Sequence, residues 1–322
     1  MRLRTWLAMI LLVAVSVTFG CTRAPLVPLR IESVNTPSHQ YTAYGASSFV
    51  VVYVLDRATG LIVPISVPRQ SQDLPPLDKA VALLNGELAT PDYRFLGASH
   101  SRIQGIALKD TVAILDMSAF FQAWVTRNLA EERAFVKAAV LTFTSFEDIS
   151  AVKFTVNGSS LHGVVGPFQL SQPLHRPTVV NSVLSPAGAL VLYVRVRGSE
   201  LLVPWSVQSE YTEPSGALNE LIRFRGHERL VSPVPINLSM QSVRVEDGIA
   251  TVNLDKTSVS LLLQGALDER LVLDALVYTL LEFPEVKQVR FLVDGRVLGP
   301  LGSHVDLSRP LGRTPINMLP AP

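Results

Sequence analysis

Apolar and polar positions follow a pattern that occurs twice along the chain. In the first occurrence, β-branched runs over 49–55 and 61–67 flank a short polar loop, which is the arrangement of a β-hairpin. A short stretch with helical spacing follows and ends at Gly86, a residue type that suits the position after a helix C-terminus. A second hairpin, a longer helix over about 130–146 and an alternating strand complete the unit. The pattern predicts the element order ββαββαβ.

The second occurrence repeats the first residue by residue. Leu61–Val67 returns as Leu201–Val207, a shift of 140 residues, and later segments return at a slightly shorter shift. Such a period is far too long for a solenoid, whose repeats have about 20–45 residues. The chain is therefore predicted to hold two tandem copies of one α+β domain, at 49–176 and 189–313. Each copy is expected to have a largely antiparallel sheet covered by helices.

Three segments outside these copies lack periodicity. Residues 21–48 contain scattered prolines and are predicted to be a tether, residues 177–188 a linker, and residues 314–322 a Pro-rich tail. The second copy also contains Asp247-Gly248 between two apolar runs. This pair can take the positive φ angles of a type I′ turn, so it predicts the tip of a hairpin.

The N-terminus has the features of a bacterial export signal. Two arginines precede an apolar run over 6–20, which is shorter than the roughly 20 residues that span a bilayer. The run ends at Gly20-Cys21, in a context that resembles a lipobox. Residues 1–20 are therefore predicted to be a lipoprotein signal peptide and Cys21 the lipidated residue. An uncleaved anchor and a secreted protein with a free thiol are the alternatives.

A lipidated Cys21 would decide where the protein resides. Each buried acyl CH₂ contributes about 0.8 kcal/mol to membrane binding, so three acyl chains would hold the protein essentially permanently. We therefore expect a protein anchored by lipid to the extracytoplasmic face of the cell membrane.

Composition excludes several classes of function. The chain has 28 basic and 27 acidic residues, which gives no electrostatic case for nucleic-acid binding. Its one cysteine excludes an intrachain disulfide and a cysteine-based zinc site. The six histidines lack metal-ligand spacing, and no nucleotide-binding or catalytic motif is spelled in the sequence. We expect no metal and no cofactor.

Paired acids recur at the start of the longer helix, as Glu131-Glu132 and Asp268-Glu269. Two carboxylates can hydrolyse a glycan, so a hydrolase acting on peptidoglycan, with Glu132 and Glu269 as catalysts, is one hypothesis. The simpler hypothesis is structural, because acids in a first helical turn contribute about 0.3–1 kcal/mol through the helix dipole. We favour the structural hypothesis and predict that the protein is not an enzyme.

A further polar set recurs after the last strand of each copy: Ser171, Arg176, Ser308 and Arg313. An asparagine follows shortly in each copy. One hypothesis is a polar edge that binds a partner or peptidoglycan. The other is a clasp, in which each arginine hydrogen-bonds backbone carbonyls and holds the tail against its own domain.

These features together resemble the GerM-type domain of sporulation and spore-germination proteins. The resemblance rests on the hairpin before a helix ending at Gly86 or Gly226, on the strand over 248–254, and on the helix-to-strand run from Tyr278 to Gly295. It implies a non-enzymatic, extracytoplasmic role at the cell or spore envelope and brings no catalytic residue. The expected partners are the membrane, through the lipid anchor, and peptidoglycan or an envelope protein.

Overall fold

The computed structural model describes residues 48–70, 73–87, 92–94, 102–262, 266–297, 300–301 and 305–318. The first copy begins with a hairpin and a short helix, as the sequence predicts. Its elements are β1 (Phe49–Asp56), β2 (Ile62–Pro68), α1 (Pro76–Leu84), β3 (Tyr93–Arg94), β4 (Ile103–Lys109), β5 (Val112–Met117), α2 (Phe120–Val125), α3 (Ala130–Phe143), β6 (Ala151–Val156), β7 (Ser159–Ser160), β8 (Val164–Val165), β9 (Phe168–Gln169) and β10 (Leu174–His175).

The second copy repeats the long elements of the first in the same order. Its elements are β11 (Ala189–Val196), β12 (Leu202–Gln208), α4 (Pro214–Arg223), β13 (Leu230–Val231), β14 (Met240–Glu246), β15 (Ile249–Leu254), α5 (Lys256–Leu262), α6 (Ala266–Leu280), β16 (Gln288–Val293), β17 (Arg296–Val297), β18 (Pro300–Leu301) and β19 (Val305–Asp306). The predicted α+β class and its duplication are confirmed.

Among the described residues, each copy contains two main sheets rather than one, together with a separate two-stranded sheet, β8-β9 or β18-β19. The first copy has a three-stranded sheet in the order β2-β1-β3 and a second sheet in the order β10-β6-β5-β4, with β7 also paired to β6. The second copy has β12-β11-β13 and β14-β15-β16-β17. Most neighbouring strands are antiparallel, as predicted, but β5 and β6 are parallel, and so are β15 and β16. Parallel neighbours need a crossover connection, and the helices α2 and α3, or α5 and α6, provide it.

The hairpin tips and helix ends follow from local chemistry. Asp247 and Gly248 have φ angles of 51° and 79°, which confirms the predicted turn. The predicted helix over 130–146 ends earlier, at Phe143. The hydroxyls of Thr144 and Ser145 donate to the carbonyls of Val140 and Leu141, at 2.7 Å each, and so satisfy the last turn of the helix.

The first strand of each copy lies at the centre of the core and binds the long helix through a recurring threonine. Tyr53 of β1 donates its backbone N–H to Thr142 Oγ1 of α3 at 2.9 Å, and Tyr193 of β11 does the same to Thr279 at 3.0 Å. The short strand β3 pairs only with the end of β1, so this N–H has no strand partner. A buried N–H without an acceptor would cost about 1–3 kcal/mol, which explains these buried hydroxyls.

The two copies lie in one compact unit, and each sends its C-terminal segment to the other. The backbone N–H of Val180, after the first copy, donates to Ser206 Oγ of β12 at 2.7 Å. The backbone N–H of Ile316, after the second copy, donates to Ser66 Oγ of β2 at 2.8 Å. The segments that the sequence predicts to be a linker and a tail therefore make equivalent hydrogen bonds, each to a strand of the other copy.

Two asparagines complete this exchange. Asn317 accepts from the backbone N–H of Leu202 at 2.9 Å and donates to the carbonyl of Pro64 at 2.8 Å. Asn181 accepts from the N–H of Ile62 at 2.8 Å and donates to the carbonyl of Pro204 at 2.8 Å. Each asparagine thus bridges both copies at equivalent positions, which relates the copies by approximate twofold symmetry.

Candidate functional site

Arg176, one of the predicted site residues, lies between the two copies. It directly follows β10, and its side chain is 15% exposed. Its guanidinium donates to both carboxylate oxygens of Glu282, from Nε to Oε2 at 2.7 Å and from Nη2 to Oε1 at 2.6 Å. Glu282 follows α6 of the second copy, and its side chain is 7% exposed. This bidentate pair is a buried ion pair across the boundary between the copies.

The other donors of Arg176 are also satisfied. Nη1 donates to the carbonyl of Leu141 at 2.9 Å and reaches the hydroxyls of Thr144 and Ser145 at 3.2 and 3.3 Å. These residues end the long helix of the first copy. Arg176 therefore makes the carbonyl contact that the clasp hypothesis describes, and it also binds the neighbouring copy.

Two equivalent tyrosines close the network. The hydroxyls of Tyr53 and Tyr193 are 2.8 Å apart, and Tyr193 donates to Glu282 Oε1 at 3.0 Å. Arg176 Nη2 donates to the Tyr53 hydroxyl at 2.8 Å. Because the single proton of Tyr193 goes to Glu282, Tyr53 is the donor between the two tyrosines. We call these four residues the central polar network: Tyr53, Arg176, Tyr193 and Glu282.

Electrostatics keep the ion pair charged in spite of its burial. Burial alone would raise the pKa of Glu282, but the charge and hydrogen bonds of Arg176 outweigh it, so the pKa lies below its ordinary value. Burial likewise acts to lower the pKa of Arg176, and the nearby Glu282 more than offsets it, so that pKa is raised. Burial and the charge of Glu282 raise the pKa of Tyr193, which keeps its hydroxyl protonated as a donor.

The remaining predicted site residues do not form a shared exposed surface with Arg176. Arg313 lies 5.6 Å above the ring of Tyr278 and contributes to lowering the pKa of Glu282. Ser171 accepts from Gln169 Nε2 at 3.2 Å, and the N–H of Ser308 donates to Asp306 Oδ1 at 2.9 Å. The structure thus brings the two arginines near Glu282 and leaves the two serines elsewhere. Partner binding by these four residues stays a prediction.

One acid of each recurring pair at the start of the long helices is buried. Glu132 is 0% exposed and Glu269 is 2% exposed. Glu132 Oε1 accepts from Arg127 Nε at 2.7 Å and also from Arg127 Nη2. Their burial separates these acids from solvent and from any chain outside the fold.

One face of the second sheet of the first copy carries a shallow, open depression of about 380 Å³. It is lined by Gly105, Ile106, Ala107, Ile114, Asp116, Lys153, Thr155, Gly158 and Ser160. Asp116 accepts from Thr155 Oγ1 at 2.7 Å and from the N–H of Gly158 at 2.9 Å, so it is engaged within the sheet. Neither this depression nor any other described part of the chain holds a group of three or more potential metal ligands.

Comparison with known proteins agrees with this architecture. The family Germane, described as sporulation and spore germination, matches residues 51–162 and 183–299. The chain belongs to this family.

A relative from Bacillus subtilis extends the comparison, both in sequence and in structure. The spore germination protein GerM of Bacillus subtilis (strain 168) is 25% identical over 277 residues, which cover 78% of this chain and 73% of that protein. The solved tandem GerMN domains of the sporulation protein GerM from Bacillus subtilis superpose with a TM-score of 0.62 at 21% identity. That alignment covers 83% of this chain and 98% of the solved chain, so the tandem fold is shared.

The lipidation site predicted at Cys21 lies outside the described residues. Within the described residues, no helix is long and apolar enough to cross a membrane. The anchor therefore stays a prediction from the sequence.

Sequence reasoning found Arg176 in this Germane protein but missed its partners. Tyr53 and Tyr193 recur at a shift of 140 residues inside mostly apolar strands, and that was a usable signal. Glu282 gave none, because the equivalent residue of the first copy is Ser145. A residue that breaks the repeat cannot be found by searching for recurrence.

Proposed function

We propose that the protein is a membrane-anchored, extracytoplasmic lipoprotein whose two Germane domains act as binding or scaffolding modules. The process would be sporulation, spore germination or another function of the cell envelope. The observation that carries this proposal is the match of the Germane family to both copies. The similarity to GerM, which is named a spore germination protein, supports it.

The anchor is tested by following Cys21 in the producing cell. We expect the purified wild-type protein to have lost residues 1–20 and to carry lipid at Cys21, as read by intact-mass analysis. Cys21→Ala should remain unprocessed and unlipidated, and Thr22→Ala should behave as the wild type does. An unmodified wild-type protein that still contains residues 1–20 would refute the anchor.

A non-enzymatic role is supported by the burial of Glu132 and Glu269, the two acids that the hydrolase hypothesis names as catalysts. Glu132 and Glu269 are almost completely buried, so a glycan chain has no direct access to them. We expect the purified full-length protein in detergent to release no soluble fragments from peptidoglycan. Release that is abolished by Glu132→Gln would instead establish the hydrolase alternative.

The binding role is tested with the two partner classes expected at the envelope. Purified full-length protein in detergent should co-sediment with peptidoglycan sacculi or recover a defined protein from envelope extracts. Protein unfolded by heat and cooled serves as the control for non-specific adsorption. If the native protein binds neither sacculi nor envelope proteins above this control, the proposed role fails.

A further inference from the structure

The depression on the second sheet of the first copy contains two opposite charges that are not paired with each other. Asp116 of β5 and Lys153 of β6 lie on the same face, because Asp116 is the strand neighbour of Thr155, two residues beyond Lys153. The hydrogen bonds from Thr155 and Gly158 both go to Oδ1 of Asp116, and Oδ2 accepts none in the described part of the chain. Lys153 forms no ion pair with any described residue. The depression therefore offers one carboxylate oxygen and one ammonium to a ligand.

Gly105 provides room in this depression, and the fold itself does not require a glycine there. A glycine inside a strand costs about 0.5–1 kcal/mol relative to alanine. Gly105 has no positive φ angle, and a Cβ atom added to it would meet nothing within 4 Å. The bulge at this point of β4 does not require glycine either, because Ser242 occupies the same position in the equivalent bulge of β14. Of the usual causes of a strand glycine, the close approach of a ligand or of another chain remains.

The equivalent face of the second copy is built from larger side chains and satisfies its own polar groups. Asn253 replaces Asp116 and keeps the bond from the turn, since it accepts from the N–H of Gly295 at 2.9 Å. Its Nδ2 donates to Gln241 at 2.7 Å, so no unpaired carboxylate oxygen remains at this position. The other equivalent positions have Arg244 for Ala107, Arg290 for Lys153, Leu292 for Thr155 and Val297 for Ser160. The combination of an unpaired acid, a cation and room for a ligand thus distinguishes the first copy from the second.

We propose that this depression binds a group that carries both an ammonium and a carboxylate, as the uncross-linked peptide stems of peptidoglycan do. The ammonium would donate to Oδ2 of Asp116, and the carboxylate would accept from Nζ of Lys153. This occupant fits by charge, because a ligand of one sign alone would meet a like charge in the same depression. The volume of about 380 Å³ lies at the lower end of the range for small-molecule sites, about 300–1,000 Å³. The proposal rests on the binding role proposed above and names the ligand and the site of that role.

The second copy provides the residues for the decisive variant. Gly105→Ser with Ala107→Arg fills the depression with the side chains that β14 carries at these positions, and we call it the filled variant. Ser242→Gly with Arg244→Ala makes the reverse change in the second copy as a matched control. Because the second copy folds with the larger residues on the equivalent strand, the filled variant should keep the wild-type melting temperature.

Two single substitutions test the charges separately. Asp116→Asn removes the unpaired carboxylate oxygen and keeps an acceptor for the N–H of Gly158, as Asn253 does for its own turn. Lys153→Gln removes the ammonium and leaves the room unchanged. Both substitutions should preserve the fold and weaken ligand binding about tenfold or more, because each removes one charge-assisted hydrogen bond.

The probe is a soluble disaccharide peptide, released from peptidoglycan by a muramidase and titrated calorimetrically into the full-length protein in detergent. We expect equal affinity for the wild type and the second-copy control, and an affinity about tenfold or more lower for the filled variant. Acetylation of the probe's amine should weaken its binding to the wild type to a similar extent. The same acetylation should have little further effect on Asp116→Asn, because that variant lacks the oxygen that accepts from the amine.

Three results would overturn the proposal. The wild type binds no probe, the filled variant and Asp116→Asn bind it as tightly as the wild type, or the acetylated probe binds the wild type as tightly as the probe with a free amine. If the wild type and the filled variant recover peptidoglycan or envelope proteins equally, this inference fails while the proposed function stands. Recovery of neither by the wild type is a failure of the proposed function itself.

Discussion

At the scale of single residues, one difference between the copies determines how they meet. Glu282 occupies the position that Ser145 holds in the first copy, so one acid lies near two equivalent arginines, Arg176 and Arg313. Removing one partner of a buried ion pair costs far more than the pair itself contributes, since the other charge is left buried and unpaired. Within the central polar network, substitution of Glu282 is therefore expected to destabilise the fold most.

Glu282→Gln should lower the free energy of unfolding by about 3–5 kcal/mol, because it leaves the Arg176 guanidinium buried without a counter-charge. Urea unfolding measured at neutral pH gives this value. The matched control is Glu285→Gln, which removes an exposed acid three residues away and should change stability by less than about 0.5 kcal/mol. Equal effects of the two substitutions would contradict a structural role for the ion pair.

The same residue predicts how stability depends on pH. The folded-state pKa of Glu282 lies below its ordinary value of 4.5, so its contribution to stability is fully present above that value. It is lost as the pH falls through the lowered pKa. The stability difference between wild type and Glu282→Gln should therefore shrink below about pH 4.5. A difference that stays constant on acidification would show that the charge of Glu282 is not what stabilises the fold.

At the scale of elements, the periodicity of apolar residues predicted the helices and strands that form from local sequence patterns. The first hairpins, the long helices and the Asp247-Gly248 turn were all predictable from local patterns. The parallel pairing of β5 with β6 was not, because residues far apart in the sequence set it. The short helices α2 and α5 and the two-residue strands were missed, since they are too brief for a pattern to emerge.

Gly248→Ala tests the turn that was predicted correctly. At a φ of 79° an alanine is strained, so the substitution should destabilise the protein by about 1 kcal/mol. Gly105→Ala is the control, because Gly105 has open space around it and no positive φ, and an alanine in a strand is expected to be neutral or slightly stabilising. Chemical denaturation of both variants makes the comparison, and a Gly105→Ala variant as unstable as Gly248→Ala would contradict it.

At the scale of the whole molecule, the duplication was visible in the sequence and the way the copies join was not. The apolar residues of the segments that cross between them follow no helical or strand period, so nothing in their pattern indicates a fixed position. Yet Ile316 and Val180 are buried, and each copy supplies hydrogen bonds to a strand of the other. The two copies are thus expected to unfold together rather than one after the other.

Asn317→Ala tests this coupling, because Asn317 joins β12 of its own copy to Pro64 of the other. Loss of its hydrogen bonds leaves buried backbone groups unsatisfied, so the free energy of unfolding should fall by about 1–3 kcal/mol. Calorimetry should show one transition shifted to lower temperature, and amide exchange should accelerate in β2 as well as β12. Arg309→Ala, an exposed change in the same terminal segment, should leave both measurements nearly unchanged. Two separate transitions, with exchange in β2 unaffected, would mean that the first copy folds without the tail of the second.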